Sequence, residues 1–248
     1  MEVKLISKTT PMIEGLLDSE DLITYIARVS NPTNQKNLKT APKLLKYLID
    51  HKHWSPFEQV SATFEIVTSR AIASQILRHR SFVFQEFSQR YSKIVGLESF
   101  NVRKQSEQNR QSSEEIIDLP PETVSKIKDY LLTGIEFYED LVKDGVAKEC
   151  ARMILPLCTQ TTLYMTGTLR SWIHYVELRS GVDTQLEHRE IALAIKAIIS
   201  DEYPNVGEAL GWNSTNDVNS NCGEGCTHSH HNQMHVPHMH HMNIPASN

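Results

Sequence analysis

Positive charge and aromatic surface are concentrated in one short segment, RHRSFVFQEFSQRY, which spans residues 78–91. The segment carries three arginines, one histidine and one glutamate among three phenylalanines and a tyrosine. A guanidinium group offers a rigid fork of hydrogen-bond donors that matches two phosphate oxygens at once, whereas a surface that is only solvated usually mixes lysine and glutamate. These residue types at this density predict an anion-binding site.

Polar side chains beside the arginines extend this prediction from an anion to a nucleotide. They provide amide, carboxylate and hydroxyl groups, which suit a sugar and the edge of a base as well as a phosphate. The side chains concerned are those of Gln75, Glu86, Ser88 and Gln89. The aromatic rings suit a wall beside a flavin or a base, although each ring taken singly is more often part of a core. A solvated basic patch is the alternative explanation for the arginines.

Two further pairs of side chains give weaker signals. Arg170 and His174 are four residues apart in a helical pattern, so they can face one ligand together, and a surface pair is the alternative. His51 and His53 have no third metal ligand nearby. Because a protein zinc site needs at least three such ligands, we expect a flavin-site or structural role for these histidines and assign no metal.

The elements that must position the segment 78–91 follow from the hydrophobic pattern around it. Alternation of apolar and polar residues predicts strands at residues 1–7 and 58–67. Apolar residues at three- and four-residue spacing predict helices at 18–30 and 40–54.

A further helix is predicted over residues 69–80, directly after the second strand. On this helix Gln75, Arg78 and His79 would share one face near the C-terminal end. Residues 81–92 have no clean period and are expected to combine loop with short extended pieces.

The second half of the chain is predicted to be mainly helical. The polar stretch 99–120 is typical of a mobile surface loop. A long amphipathic helix follows over residues 120–145, with Gly145 as its stop. Further helices are predicted over residues 146–155, 161–179 and 184–199.

The overall composition is that of an ordinary globular chain, with 248 residues, 40% hydrophobic, 22% charged and a formal net charge of −5. This balance gives no general attraction to nucleic acid. No apolar run reaches membrane-spanning length and the start lacks the core of a signal peptide, so we expect a soluble, cytoplasmic protein.

The four cysteines form no compact disulfide framework, which suits a reducing compartment. Cys150 and Cys158 lie in apolar sequence, where buried, unreactive thiols are expected.

The composition changes near residue 208, and seven of the twelve histidines lie between His228 and His241. We expect one folded domain over residues 1–207 and a flexible His/Cys-rich tail over residues 208–248. Thiols and imidazoles between Cys222 and His241 could bind a soft divalent metal, and a solvated tail without a ligand is the alternative.

Two other functions compete with a nucleotide enzyme. A nucleic-acid-binding module could use the basic and aromatic side chains of residues 78–91, but the acidic net charge and Glu86 count against it. A metal-buffering protein could be built around the tail.

The order of several motifs resembles that of the flavin-dependent thymidylate synthases. Arg78-His79-Arg80 followed by Ser88, with Arg90-Tyr91 beyond, is similar to the signature of that family. Four other blocks occur in the family's order, namely ARVS at 27–30, HKHWSPFE at 51–58, ARMILP at 151–156 and the RSW…ELR stretch at 170–179. The resemblance covers roughly residues 1–199. Gln85 and Thr168 stand where the family often has Asn, and both keep hydrogen-bonding capacity.

The resemblance implies a role for each matching residue. The flavin would be bound by Ser55, Arg78, His79, Arg80, Glu86, Arg170 and His174. The nucleotide would be bound by Gln75, Arg78, Glu86, Ser88, Gln89, Arg90, Arg152 and Arg179. Arg179 and Ser88 would be the catalytic residues. Arg179 would lie against the uracil and favour ionisation at N3, because a guanidinium stabilises the developing anion.

The family's fold and reaction are implied in the same way. The fold would be α/β, with a small mixed sheet flanked by long helices. The chain would assemble as a homotetramer with active sites built from several subunits. The reaction would be the reductive methylation of dUMP to dTMP, with methylenetetrahydrofolate as carbon donor, FAD as hydride carrier and NADPH as reductant.

Overall fold

The structure is a computed structural model that describes residues 1–93 and 96–212. Its strands are β1 (Glu2–Lys8), β2 (Ser61–Ser69), β3 (Val83–Glu86), β4 (Arg103–Gln105), β5 (Ser113–Ile116) and β6 (Gln160–Thr168). Its α-helices are α1 (Ser19–Ala27), α2 (Ala41–Asp50), α3 (Arg70–Ile76), α4 (Pro121–Lys143), α5 (Lys148–Ala151), α6 (Leu169–Arg179), α7 (Leu186–Glu202) and α8 (Pro204–Ala209). Short 3₁₀ turns occupy Pro32–Asn34, Leu38–Thr40, Ser55–Gln59 and Arg152–Ile154. Among the described helices, none combines the length and the apolar character that a membrane crossing requires.

A four-stranded sheet in the order β1-β2-β6-β3 forms the centre of the fold. The two inner strands, β2 and β6, pair along their whole length, from Ser61 opposite Thr168 to Ser69 opposite Gln160. All three pairings in this sheet are antiparallel. The expected α/β class with a small sheet and flanking helices is therefore confirmed, but the sheet is antiparallel and not mixed in direction.

Alternation along β2 places its apolar side chains in the core. Ala62, Phe64 and Ile66 are buried, while the residues between them are only partly covered. The ring of Phe64 meets that of Trp172 on α6 with centroids 4.7 Å apart, and Trp172 Nε1 donates a 3.1 Å hydrogen bond to the carbonyl of Ala62. These contacts fix α6 against the sheet, and both predicted strands are confirmed.

The first half of the helix predicted over 161–179 is wrong, because residues 160–168 form the inner strand β6. Burial alternates along this strand, with Thr161, Leu163 and Met165 in the core. The neighbouring apolar residues Leu163, Tyr164 and Met165 hide a period of two, and the threonines around them favour extended backbone. The helix begins after Thr168, whose Oγ1 accepts a 3.2 Å hydrogen bond from the backbone N–H of Ser171.

Gly167 in β6 is required by the packing of Phe82. A Cβ added at Gly167 would lie 2.5 Å from Cε1 of Phe82, far inside contact distance. Without that Cβ the ring of Phe82 reaches Trp172, with centroids 4.5 Å apart. This close approach anchors the segment 78–91 to the core at its one buried phenylalanine.

Helix α3 starts where β2 ends and is shorter than predicted. Ser69 ends the strand, and its Oγ accepts from the backbone N–H of Ile72 at 3.3 Å as the N-cap. The helix ends at Ile76, and Arg78 and His79 follow in a tight turn. The prediction that Gln75, Arg78 and His79 share a helix face is therefore wrong. The turn instead brings His79 back against the core.

The remaining helices agree with the pattern except in one place. The predicted helices near α1, α2, α4 and α7 are confirmed, and Gly145 ends the α4 segment with φ of +86°. Of the helix predicted over 146–155, only the four residues Lys148–Ala151 are α-helical, and a 3₁₀ turn follows them. Cys150 in this helix is exposed and Cys158 is half-buried, so the expectation of two buried thiols is wrong for Cys150.

The polar stretch 99–120 forms a β4–β5 hairpin where an irregular loop was expected. Arg103 on β4 donates to both carboxylate oxygens of Glu187 on α7, at 2.7 and 2.9 Å. Leu97, just before the hairpin, bridges to Thr159. These contacts are distant in sequence, so the local pattern does not reveal them.

Candidate active site

Arg179, the last residue of α6, meets His79 from the turn after α3. Its Nε donates a 3.0 Å hydrogen bond to Nε2 of His79. The imidazole accepts at Nε2, so its proton is on Nδ1 and the ring is neutral. Burial, together with the charge of Arg179 and the nearness of His174, lowers the pKa of His79 to about 4. Two residues that are 100 positions apart are thereby joined, as the prediction of a common site requires.

The terminal nitrogens of Arg179 make no hydrogen bond or ion pair to any residue that the structure describes. The side chain is half-buried, so part of its hydration has been removed without a compensating carboxylate. An incompletely paired guanidinium in such a place favours an anionic or anion-developing ligand.

Behind this pair lies a group of polar side chains that sequence reasoning did not assign. Tyr175 and His188 are both fully buried, and Tyr175 O–H lies 3.0 Å from Nε2 of His188. His188 Nδ1 lies 3.4 Å from Oε1 of Gln75, and Gln75 Nε2 donates to Oε1 of Gln185 at 2.7 Å. Of the residues predicted for the site, this group contains Gln75 alone.

A signal for His188 is present in the sequence. His188, Ile191, Ala192 and Ile195 follow the apolar spacing of α7, so the histidine lies on the face that packs into the core. A titratable residue in a buried stripe must be paired or neutral. Burial, with the charge of Arg179 and the nearness of His79, lowers the pKa of His188 to about 3. Burial also raises the pKa of the Tyr175 phenol, so it keeps its proton.

Glu86, at the end of β3, is held by two neighbours. Its Oε1 accepts hydrogen bonds from Arg70 Nη1 at 2.5 Å and from Thr161 Oγ1 at 3.0 Å. The other carboxylate oxygen bonds to no described residue. Glu86 can therefore present one oxygen to a ligand while the other fixes its orientation.

Two predicted arginines are held by exposed carboxylates. Arg90 pairs with Glu149 at 3.2 Å, and Arg170 pairs with Glu58. Exposed ion pairs contribute only about 0–1 kcal/mol, so a phosphate that binds two guanidinium nitrogens competes with them readily.

The other predicted residues differ in exposure. Arg78 and Arg80 are exposed, and no carboxylate in residues 1–93 or 96–212 pairs with either. Ser55, Ser88 and His174 are also exposed, and Arg152 is half-buried. Gln89 is buried, and its Nε2 has no hydrogen-bond partner in the described part of the chain.

The hydrogen bonds and ion pairs of the described residues place these positions in separate local groups. A cavity of about 240 Å³ opens beside the start of α3, lined among others by Thr68, Glu98, Arg103, Cys158 and Gln185. It contains none of the predicted site residues.

Metal binding was predicted for Cys222–His241, which lies outside the described residues. Within residues 1–93 and 96–212, no three His, Cys, Asp or Glu side chains cluster as a metal site requires.

The sequence is similar to proteins of one known family. Residues 11–205 match the family described as "Thymidylate synthase complementing protein". The chain is 50% identical over 215 residues to a "Probable flavin-dependent thymidylate synthase" of Paramecium bursaria Chlorella virus 1, covering 86% of this chain and all of that protein. It is 49% identical over 220 residues to the "Flavin-dependent thymidylate synthase" of Synechocystis, again covering 86% and 100%.

A solved structure is also similar in fold. The UMP/dUMP methylase PolB from Streptomyces cacaoi, bound with 5-Br dUMP, superposes with a TM-score of 0.73 at 24% identity. The match covers 85% of this chain and 94% of that one.

Proposed function

Since the chain belongs to the thymidylate synthase complementing protein family, whose relatives are named flavin-dependent thymidylate synthases, we propose that it methylates dUMP reductively to dTMP. Methylenetetrahydrofolate supplies the carbon, FAD carries hydride and NADPH reduces the flavin. The chain is thus a methyltransferase that serves thymidylate synthesis.

The observation that supports this proposal most directly is the guanidinium group of Arg179. Its Nε is held by neutral His79, and its terminal nitrogens have no partner among the described residues. Because His79 is uncharged, it orients the guanidinium without competing for the anion. A uracil that loses its N3 proton develops negative charge beside such a group, and the guanidinium stabilises that charge.

The remaining nucleotide contacts use donors that are unpaired among the described residues or, for Arg90, paired only through an exposed ion pair. Arg90 and Arg152 bind anionic or carbonyl groups, and Ser88 and the orphaned amide of Gln89 add neutral hydrogen bonds. Glu86 accepts from the nucleotide through the oxygen that Arg70 and Thr161 do not use.

The donor set around the segment 78–91 fits a flavin dinucleotide. Arg78 and Arg80 are exposed cations without a described carboxylate partner, which suits the diphosphate of FAD. The resemblance assigns His79, Glu86 and His174 to the same flavin site, with Ser55 and Arg170 contributed from other elements. When bound, the flavin supplies the hydride that converts the transferred methylene to a methyl group.

The chain itself needs no nucleophile for this reaction. Burial raises the pKa of the Cys158 thiol, so it is a poor thiolate at neutral pH. Ser88 is exposed, and no base among the described residues accepts its hydroxyl proton. Arg179 provides the alternative, since charge drawn onto the uracil raises electron density at C5 and lets that carbon attack the methylene donor.

The predicted site residues lie in separate groups within one chain. This separation favours a homotetramer in which several subunits complete each active site. Large apolar side chains are exposed on α4 and on the segment after it, namely Tyr130, Phe137, Met153 and Leu157. Large apolar side chains exposed in this number suit an interface between copies of the chain.

Release of tritium from C5-labelled dUMP tests this function. Wild-type protein should release tritium and form dTMP only when FAD, NADPH and methylenetetrahydrofolate are all present. Cys150→Ala and Cys158→Ala should remain active, with no covalent enzyme–nucleotide bond. Turnover that persists without flavin, or that is lost with one cysteine, would contradict the proposal, and flavin absorbance in purified protein separates this enzyme from a nucleic-acid-binding module.

A further inference from the structure

A row of hydrogen-bonded side chains leads from the Arg103–Glu187 ion pair into the core. Its further members are Gln185, Gln75, His188 and Tyr175. Arg103 donates to both oxygens of Glu187, at 2.7 and 2.9 Å. Gln185 Nε2 donates to Glu187 Oε2 at 3.0 Å. Burial acts to raise the pKa of Glu187, but the hydrogen bonds from Arg103 and Gln185 outweigh it and the pKa is lowered. Because an ionised carboxylate only accepts, it fixes which way the amide of Gln185 points.

The same order of donors and acceptors continues at Gln75. With its nitrogen bonded to Glu187, Gln185 presents Oε1, which accepts a 2.7 Å hydrogen bond from Gln75 Nε2. The amide oxygen of Gln75 is then turned toward Nδ1 of His188, 3.4 Å away. The carboxylate of Glu187 therefore sets the amide of Gln185, and the amide of Gln75 is held between Gln185 on one side and His188 on the other.

His188 and Tyr175 close the row. Gln75 offers an oxygen, so Nδ1 of His188 carries the ring proton and Nε2 accepts from Tyr175 O–H at 3.0 Å. Neither side chain is exposed. Burial keeps the imidazole neutral and the phenol protonated, so at neutral pH only one arrangement of protons satisfies every member.

We propose that His188 and Tyr175 are positioning residues that hold Gln75 in one amide orientation and so present the second N–H of its Nε2 to the nucleotide. This inference rests on the proposed function, in which Gln75 binds dUMP. One N–H of Gln75 bonds to Gln185, and the other bonds to no residue in the described part of the chain. A flipped amide would present oxygen to the acceptor groups of the nucleotide and would also set two amide oxygens, those of Gln75 and Gln185, against each other.

Removal of the Tyr175 hydroxyl tests this role and changes the shape of the side chain very little. In Tyr175→Phe the ring remains, but Nε2 of His188 loses the donor that fixes its tautomer. The KM for dUMP should rise about fivefold, the factor that corresponds to one lost hydrogen bond, while kcat stays within about twofold. His188→Gln, which lacks the rigid ring between the two partners, should raise the KM by at least as much.

Tyr138→Phe is the matched control. Tyr138 is as fully buried as Tyr175, but its hydroxyl has no hydrogen-bond partner in the described residues. Its removal should leave both the KM for dUMP and the flavin content unchanged.

The tautomer of His188 provides a readout that does not depend on turnover. In protein labelled with ¹⁵N-histidine, the signal that disappears in His188→Gln should show a neutral ring with its proton on Nδ1, and Tyr175→Phe should convert it to a mixture of tautomers. A proton on Nε2 in the wild type would overturn the proposal, as would an unchanged KM for dUMP in folded, flavin-loaded Tyr175→Phe. If wild-type protein shows the expected tautomer but releases no C5 hydrogen from dUMP, it is the proposed function that fails.

Discussion

Arg179 is a half-buried guanidinium that a neutral imidazole holds in place. Arg179→Ala should lower kcat for dTMP formation by at least about tenfold, since one charged stabiliser of the developing anion is lost. Arg179→Lys should be intermediate, because an ammonium keeps the charge but not the planar fork. Tritium-release kinetics with saturating dUMP measure both variants, and a kcat equal to wild type in Arg179→Ala would remove this residue from the chemistry.

Arg90 is predicted to bind the nucleotide, and its ion pair with Glu149 provides a matched comparison. Arg90→Ala should raise the KM for dUMP by about ten- to a hundredfold, the effect of losing a charge-assisted bond. Glu149→Ala removes only an exposed competitor for the same guanidinium, so the KM should stay level or fall. Titration of the two folded variants with dUMP decides the matter, and equal affinities would place Arg90 outside the site.

The two buried histidines predict how stability depends on pH. The pKa values of His79, about 4, and His188, about 3, are both below the ordinary value of 6.5. The unfolded chain therefore binds more protons than the native chain in this range, and stability is lost as the pH falls below about 6.5 toward these values. Urea unfolding at about pH 7 and about pH 5 should show a smaller loss for His188→Gln than for wild type. Equal losses would mean that His188 is not buried in its neutral form.

At the scale of elements, the close contact of β6 with Phe82 makes Gly167 sensitive to any side chain. Gly167→Ala should destabilise the fold by about 1–3 kcal/mol, because the new methyl group overlaps the ring. Gly181→Ala is the control, since an added Cβ there meets nothing within 4 Å. In Gly167→Ala/Phe82→Leu the two effects should not add, because the smaller side chain relieves the overlap. Thermal unfolding of these three variants and of Phe82→Leu alone tests this, and additive losses would contradict it.

The elements that sequence reasoning predicted well are those whose pattern is local. Strand β2 alternates cleanly, and α4 carries both its apolar spacing and its glycine stop. Strand β6 was mistaken for helix because the consecutive apolar residues Leu163, Tyr164 and Met165 hide its period of two, and its pairing with β2 and β3 is not visible in the local pattern. The β4–β5 hairpin depends on the bond from Arg103 to Glu187, which is 84 residues away.

The same distinction applies to the site. The arginines and polar residues of the segment 78–91 were predictable from their types and spacing. The contact of His79 with Arg179 was expected only through the resemblance, and the row that includes Tyr175 and His188 was missed. Its members come from strand β4 and from three helices or their flanks, so no single segment shows the whole row.

For the whole molecule, the dispersed site predicts recovery of activity in mixed oligomers. If subunits exchange residues at each active site, then Arg90→Ala and Arg179→Ala carry lesions in different parts of a shared site. Oligomers formed by unfolding and refolding the two variants together should contain some sites with both arginines intact. The mixture should regain up to about a quarter of wild-type tritium release, whereas each variant refolded alone should not. No recovery in the mixed oligomers would mean that one chain supplies both residues.

The strand-to-helix transitions at Ser69 and Thr168 leave no linker between the sheet and the helices that begin there, because each residue ends a strand and caps a helix. The chain therefore has no hinge at either position, and α3 and α6 cannot swing without distorting β2 or β6. Insertions at these two junctions would separate a cap from its helix, whereas the polar turn between β4 and β5 can lengthen without that cost. An inserted residue at either junction should therefore disturb the placement of Arg179 opposite His79, whereas one in the β4–β5 turn should leave it unchanged.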